Sequence, residues 1–379
     1  MPKADTSVKW FDQSFPEAPT LSGEVGRIIG ILDALLVTGF CNRTPSTLLV
    51  VDGVATATFG AAAPYPQHSV VKIEGASVAQ LNGEWRVAAN TGSAITFLCP
   101  DIENAVVTGA SFRFAPAGWE KAFAGGNVAA YRSKNLASTG FFLQVDDSQT
   151  FAATVRGFEA MTSVSAGQNG FPLSSGSAFY WNKSTNALVA NPAVREWFFA
   201  ADDRFMFFAP RYNPQPYTSI YAGHAGYGFG DLSETVPSDA FATTLIASSN
   251  GGNEMPGGGA AGVYDYGSSG ISSARTASGL AYAPSTPLYG TPIGFGKANT
   301  PSPTVRYFPR LAAHVSDTPQ HSGIRGAVPG LYTAGSIPDQ YRIGVSTYSG
   351  RAYYELRAGA PFSSYPAHQF AVDITGPWR

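Results

Sequence analysis

Between residues 118 and 161 the chain reads GWEKAFAGGNVAAYRSKNLASTGFFLQVDDSQTFAATVRGFEAM. Two aromatic-rich runs in it, 141–145 and 151–158, alternate apolar with polar side chains and are separated by Asp146, Asp147, Ser148 and Gln149. A period of two bounded by turn residues belongs to strands, so this stretch predicts a β-hairpin. A lone hairpin cannot bury its apolar face in water. The expectation is therefore a large β-domain in which this hairpin is the first strand pair.

Composition points the same way. The chain has 42 Gly, 27 Pro and 13% aromatic residues, which suits short strands joined by tight turns. Charged residues make up only 13%, about half the usual share of roughly 25%. A protein that stays free in solution normally displays a charged surface, whereas surface that partners will cover does not need one. The net charge of −2 gives no electrostatic basis for binding nucleic acid or an anionic membrane. The start, MPKADTSVKW, lacks the apolar core of a signal peptide, and no apolar run is long enough to span a bilayer. In a chain made in a cytoplasm, Cys41 and Cys99 read as buried free thiols, with a disulfide between them as the alternative.

Three segments follow in order. Residues 1–43 form an arm and a helix. The arm carries Trp10, Phe11 and Phe15 among prolines that exclude a long helix, so it is expected to lie extended on a neighbouring subunit. In LSGEVGRIIGILDALLVTGF, Val25, Ile28, Ile29, Leu32, Leu35 and Leu36 share one face of a helix over 22–37, with Ser22 as cap and Gly39 as stop. Gly26 and Gly30, four residues apart, would permit close approach of another backbone.

Residues 44–116 switch to strand patterns: LLVVDGVATATF with Asp52-Gly53 at its turn, then SVVKIEG, EWRVAAN, AITFLC and SFRFAP. A second Asn-Gly turn is expected at Asn82-Gly83. This segment reads as a small β-barrel or sandwich module. Residues 117–379 read as a larger β-sandwich domain with strands in SAFYWNK, REWFFAAD, RFMFFAP, TSIYAGH, AFATTLIA, VRYFPRLAAHV, YRIGVSTYSGRAYYELRAG and HQFAVDITGPWR. Its last part, 305–379, is expected to return to the sheets begun near 141. A Gly/Ser/Tyr-rich insertion at 248–304 is too poor in apolar bulk for a core of its own and is expected to order only on assembly. The fold class is thus mainly β with one N-terminal amphipathic helix.

Catalytic signatures are weak. GGGAAG at 257–262 follows a proline rather than a strand, which argues against a phosphate cradle. The pairs Asp146-Asp147 and Asp202-Asp203 sit where turns are expected, and Asp is a turn former. His314, Asp317 and His321 read as a polar loop rather than metal ligands. The aromatics Tyr180, Trp181, Trp197, Phe198, Phe199, Phe205, Phe207 and Phe208 could stack sugars, but their alternation within strands assigns them to a core. No catalytic, cofactor or metal residue is assigned, and the chain is expected not to be an enzyme.

Read together, RIIGILDALLVTGF, SFRFAPAGWEKAFAGGNVAAYRS, FFLQVDD with ATVRGFEAMT, IRGAVPGLY and the terminal TGPWR resemble virion structural proteins of Mu-like and related long-tailed bacteriophages. SVVKIEGASVAQLNGEWRVAANTGSAITF resembles a small β-module that recurs in phage tail proteins. The resemblance implies a tail-tip or baseplate component made in a host bacterial cytoplasm. It would act in assembly and host attachment, with other tail proteins and copies of itself as partners. A receptor-binding tail protein recognising a host surface or glycan is the alternative, and a polysaccharide-active enzyme a third. The expected interface residues are Trp10, Phe11, Phe15, Ile28, Ile29, Leu32, Tyr264, Tyr266, Tyr282 and Tyr289.

Overall fold

A computed structural model describes residues 2–60, 62–172, 178–184, 191–211, 223–233, 239–248, 269–275, 279, 326–334, 343–358 and 368–379. The chain is mainly β. Its largest element is a 12-stranded sheet, curled into a half-barrel, whose paired strands all run antiparallel. From one edge the order is Lys9–Asp12, Trp197–Ala201, Phe205–Pro210, Tyr227–Asp231, Thr243–Ser248, Phe179–Asn182, Ala152–Ser163, Phe142–Asp146, Val128–Ser133 and Trp119–Gly125. Ala166–Phe171 adds to Ala152–Ser163, and Ser269–Ser273 adds to Thr243–Ser248.

The hairpin that anchors the sequence reading is present, with Val145 opposite Val155. It is not the first pair of the sheet. Trp119–Gly125 and Val128–Ser133 form an earlier hairpin, turning at Gly126 with φ +60°. Four consecutive strands, Trp197–Ala201, Phe205–Pro210, Tyr227–Asp231 and Thr243–Ser248, are buried at every residue. Continuous apolar character marks a sheet covered on both faces. On one face Phe199 and Phe208 meet Trp181, Tyr227 and Phe11, and Phe11 in turn meets Phe40 and Phe114. On the other, Phe198 stacks on Tyr354 at 4.2 Å and Phe207 meets Phe370 edge-on at 5.8 Å.

Tyr354 and Phe370 belong to a separate four-stranded sheet, ordered Leu331–Ala334, His368–Asp373, Arg351–Ala358, Gly344–Tyr348. This corrects the expectation that 305–379 rejoins the sheet begun near 141: its four described strands pair with one another and pack against that sheet, and an isolated bridge joins Ala327 to Ser233. VRYFPRLAAHV lies outside the described residues.

Residues 40–114 make two sheets. One has five strands in the order Ala105–Val107, Thr47–Val51, Val54–Thr58, Ala94–Leu98, Ala89–Asn90, and the other four in the order Phe40–Arg43, Ser111–Phe114, Val70–Glu74, Gly83–Arg86. Phe97, Phe112, Trp85 and Tyr65 fill the space between them. The Asp52-Gly53 turn has φ +51° and +73°, the left-handed pair that a two-residue hairpin loop requires. The expected Asn82-Gly83 turn is not a tight one. Asn82 is extended, and its side chain ties back to the backbone of Ala76 instead.

The helix is shorter than its apolar pattern. Arg27–Leu32 is α-helical and Asp33–Thr38 continues as a π-helical turn, ending at Gly39. Ile28, Ile31, Leu32, Leu35 and Leu36 are buried, Ile29 is half-buried, and Val25 is exposed. Ser22 is no cap. It lies in the strand Leu21–Gly23, which pairs with Asn191–Arg195. Gly26, with φ +79°, stands at the cap position, and Gly30 faces open space, so no backbone uses the gap it leaves.

Candidate functional site

Of the ten expected interface residues, four lie outside the described residues, five are buried and Ile29 is half-buried. Tyr264, Tyr266, Tyr282 and Tyr289 lie outside the described residues, as do GGGAAG, His314, Asp317 and His321 and most of the 248–304 insertion. Trp10, Phe11 and Phe15 are at most 6% exposed, and Ile28 and Leu32 are fully buried. The arm does not wait for a neighbour. Its strand Lys9–Asp12 pairs with Trp197–Ala201 and forms the edge of the chain's own large sheet, so its aromatics are core. The physical reason is that the strand supplies the backbone hydrogen bonds that aromatic burial alone needs to offset chain ordering. The sugar-stacking alternative also fails on burial, because seven of its eight aromatics are buried and Tyr180 half-buried.

Two charge centres sit inside the molecule instead. At one end of the large sheet, Asp147 follows the strand Phe142–Asp146 and Lys183 follows Phe179–Asn182. Both side chains have 0% exposure and form an ion pair. The Asp147 carboxylate also accepts hydrogen bonds from the backbone N–H of Ile28 at 2.7 Å and Ile29 at 3.4 Å, so a distant aspartate supplies the cap that Ser22 does not. Lys183 Nζ donates a second hydrogen bond to the Glu24 carbonyl at 2.6 Å. Burial pushes the Asp147 carboxyl above its ordinary range and pulls the Lys183 amine below its own, and each partner offsets the shift of the other. Sequence alone read Asp147 as a turn residue. Only its neighbour Asp146 behaves so, accepting the Ser148 N–H.

The second centre gathers Asp202 and Asp231. Arg379 donates to the Asp202 carboxylate at 2.9 Å and to the carbonyls of Leu232 and Asp231. Asp231 accepts from Thr139, Thr243 and Arg204. These carboxylates are saturated by structural donors. They tie the chain's last residue to the large sheet.

The outer face of the five-stranded sheet offers the reverse chemistry. Leu49 lies opposite Val106 and Thr56, Thr56 opposite Thr96, and Val51 opposite Val54, which in turn lies opposite Leu98. Leu49 is 40%, Val51 55% and Val106 75% exposed. None of these seven residues carries a charge, and Ala105–Val107 is an open sheet edge. An open edge beside uncharged, partly apolar surface is the feature that soluble sheets normally break up with charge.

No protein-family model and no curated protein matches the sequence. Among the described residues no group of three or more His, Cys, Asp or Glu could hold a metal ion, and no helix is long and apolar enough to cross a membrane. Cys41 and Cys99 are free and buried, and desolvation raises both thiols.

Proposed function

We propose that the chain is a structural component of a bacteriophage tail tip or baseplate, acting in virion assembly and host attachment through protein–protein surfaces. The observation that carries this reading is the uncharged face around Leu49, Val51 and Val106, exposed on a chain with only 13% charged residues. Partners in the reading are other tail proteins and copies of the same chain. Two β-sandwiches fit it: a small one from the two sheets of residues 40–114, and a larger one from the curled sheet with the C-terminal sheet packed on it. The small one would present its outer face to neighbours while the buried charge centres hold the larger one rigid.

The test is a pair of charged substitutions, Leu49→Lys and Val106→Glu, whose side chains point to solvent and leave the core intact. The double variant should keep the wild-type circular dichroism and melting temperature and be lost from purified particles. Incorporation of the folded variant at the wild-type ratio would overturn the reading.

A further inference from the structure

The buried pair at one end of the large sheet goes beyond that reading. Burying an isolated ammonium and a carboxylate is costly, and such pairs persist where every donor and acceptor is matched. Here the match is incomplete for ions. A protonated lysine has three donors, yet among the described residues Lys183 Nζ has two acceptors, Asp147 Oδ1 and the Glu24 carbonyl. Two partners are too few for an ammonium held out of water. The carboxyl is arranged asymmetrically: Oδ1 faces the amine, while Oδ2 faces the N–H groups of Ile28 and Ile29. An amine against one carboxyl oxygen, one bond from the carbon it would attack, with two backbone donors on the far oxygen, brings together the groups that acyl transfer with an oxyanion site needs. The directions in which burial moves the two groups favour the same neutral forms.

We propose that Lys183 and Asp147 condense to an intramolecular amide, a covalent cross-link between Lys183 Nζ and Asp147 Cγ. The amine lone pair attacks Cγ of the protonated carboxyl and forms the C–N bond. Negative charge collects on Oδ2, where the Ile28 and Ile29 N–H groups hold it. Collapse restores the C=O bond and breaks Cγ–Oδ1. That oxygen leaves as water with the carboxyl proton and one proton from nitrogen. The remaining amide N–H donates to the Glu24 carbonyl. Nothing is oxidised or reduced and no co-reactant is needed. The bond closes a loop across a sequence separation of 36 residues and ties the strand Phe142–Asp146 to the far side of Ala152–Ser163.

Intact-mass measurement of the purified full chain tests this directly. The wild type should be lighter than its sequence by one water, about 18 Da. Trypsin should release a branched peptide joining 135–156 to 157–195, uncut at Lys183. Lys183→Met and Asp147→Ala should each show their full sequence mass. Should either variant fail to fold, the wild-type mass and branched peptide still decide the matter. A wild type at full sequence mass, with ordinary cleavage after Lys183, would mean an ion pair only and would overturn the proposal.

Discussion

Arg86 ends the strand Gly83–Arg86 and is 7% exposed. Its guanidinium donates to four carbonyls: Asp5 at 2.6 Å, Val8 at 2.9 Å, His68 at 2.6 Å and Ile374 at 2.8 Å. Those acceptors come from the N-terminal arm, the small module and the segment after the last strand, so one side chain joins three distant parts of the sequence. Desolvation pulls the group down to about 10, with Asp5 and Asp373 resisting the shift, so it stays charged at neutral pH. Hydrogen bonds from a charged donor are worth roughly 1.5–3 kcal/mol each, and the literal sum overshoots because water enters the space left by truncation. Arg86→Ala leaves four carbonyl acceptors without their donor, at about 1–3 kcal/mol for each that water does not reach, so about 3–5 kcal/mol is the better guide. For a chain of 379 residues the unfolding entropy gives roughly 1.3 °C per kcal/mol, so the melting temperature should fall by about 4–6 °C. Arg86→Lys should recover only part, because a point donor cannot reach four carbonyls as a planar fork does. Thermal unfolding followed by tryptophan fluorescence, with proteolysis of residues 2–8 at low temperature, reads both effects. An Arg86→Ala protein melting within about 2 °C of wild type, its arm still protected, would refute the reasoning.

Phe11 is 1% exposed and touches Phe40, Phe114 and Phe199, so Phe11→Ala should destabilise by about 3–5 kcal/mol in urea titration. A loss below about 1 kcal/mol would show that the arm is not core. Burial, and secondarily the Arg86 charge, hold the His68 imidazole below its ordinary value of 6.5. Between the two values the unfolded chain binds more protons, so stability is complete above about 6.5 and is lost as pH falls through the folded value. His68→Asn tolerates the local φ of +69° and should flatten melting temperature against pH below about 6.5; an unchanged slope would exclude His68 as the cause.

Local chemistry made much of the fold legible. Asp52-Gly53 fixed a hairpin because few residues accept two successive positive φ values. Placement in strands assigned the aromatics of WFFAA and FMFFAP to a core, whereas their cover on both faces emerged only from the structure, in which every residue of the two runs is buried. Pairing between distant segments was not legible. Nothing in KWFD names WFFAA as its partner, so the arm read as free and its aromatics as an interface. The helix pattern continued past Leu32 into the π-helical turn and back over Ser22, because apolar spacing does not show where hydrogen bonding changes. Asp147 looked like every other turn aspartate. Its burial depends on Lys183 and on the Ile28 N–H, which lies 119 residues away in sequence. Composition carried the outer face of the small module only as a low charge fraction. Its location needed the register of Leu49 against Val106.

The central claim is that this chain works as a fixed part of a particle. Immunogold labelling of any tailed particles released by cells that produce the chain, imaged by electron microscopy, tests that most directly. The account predicts label confined to the distal end of the tail, in a constant ratio to the tail-tube protein, and absent from heads. Particles that carry no label, while the protein remains free in the lysate, would contradict it.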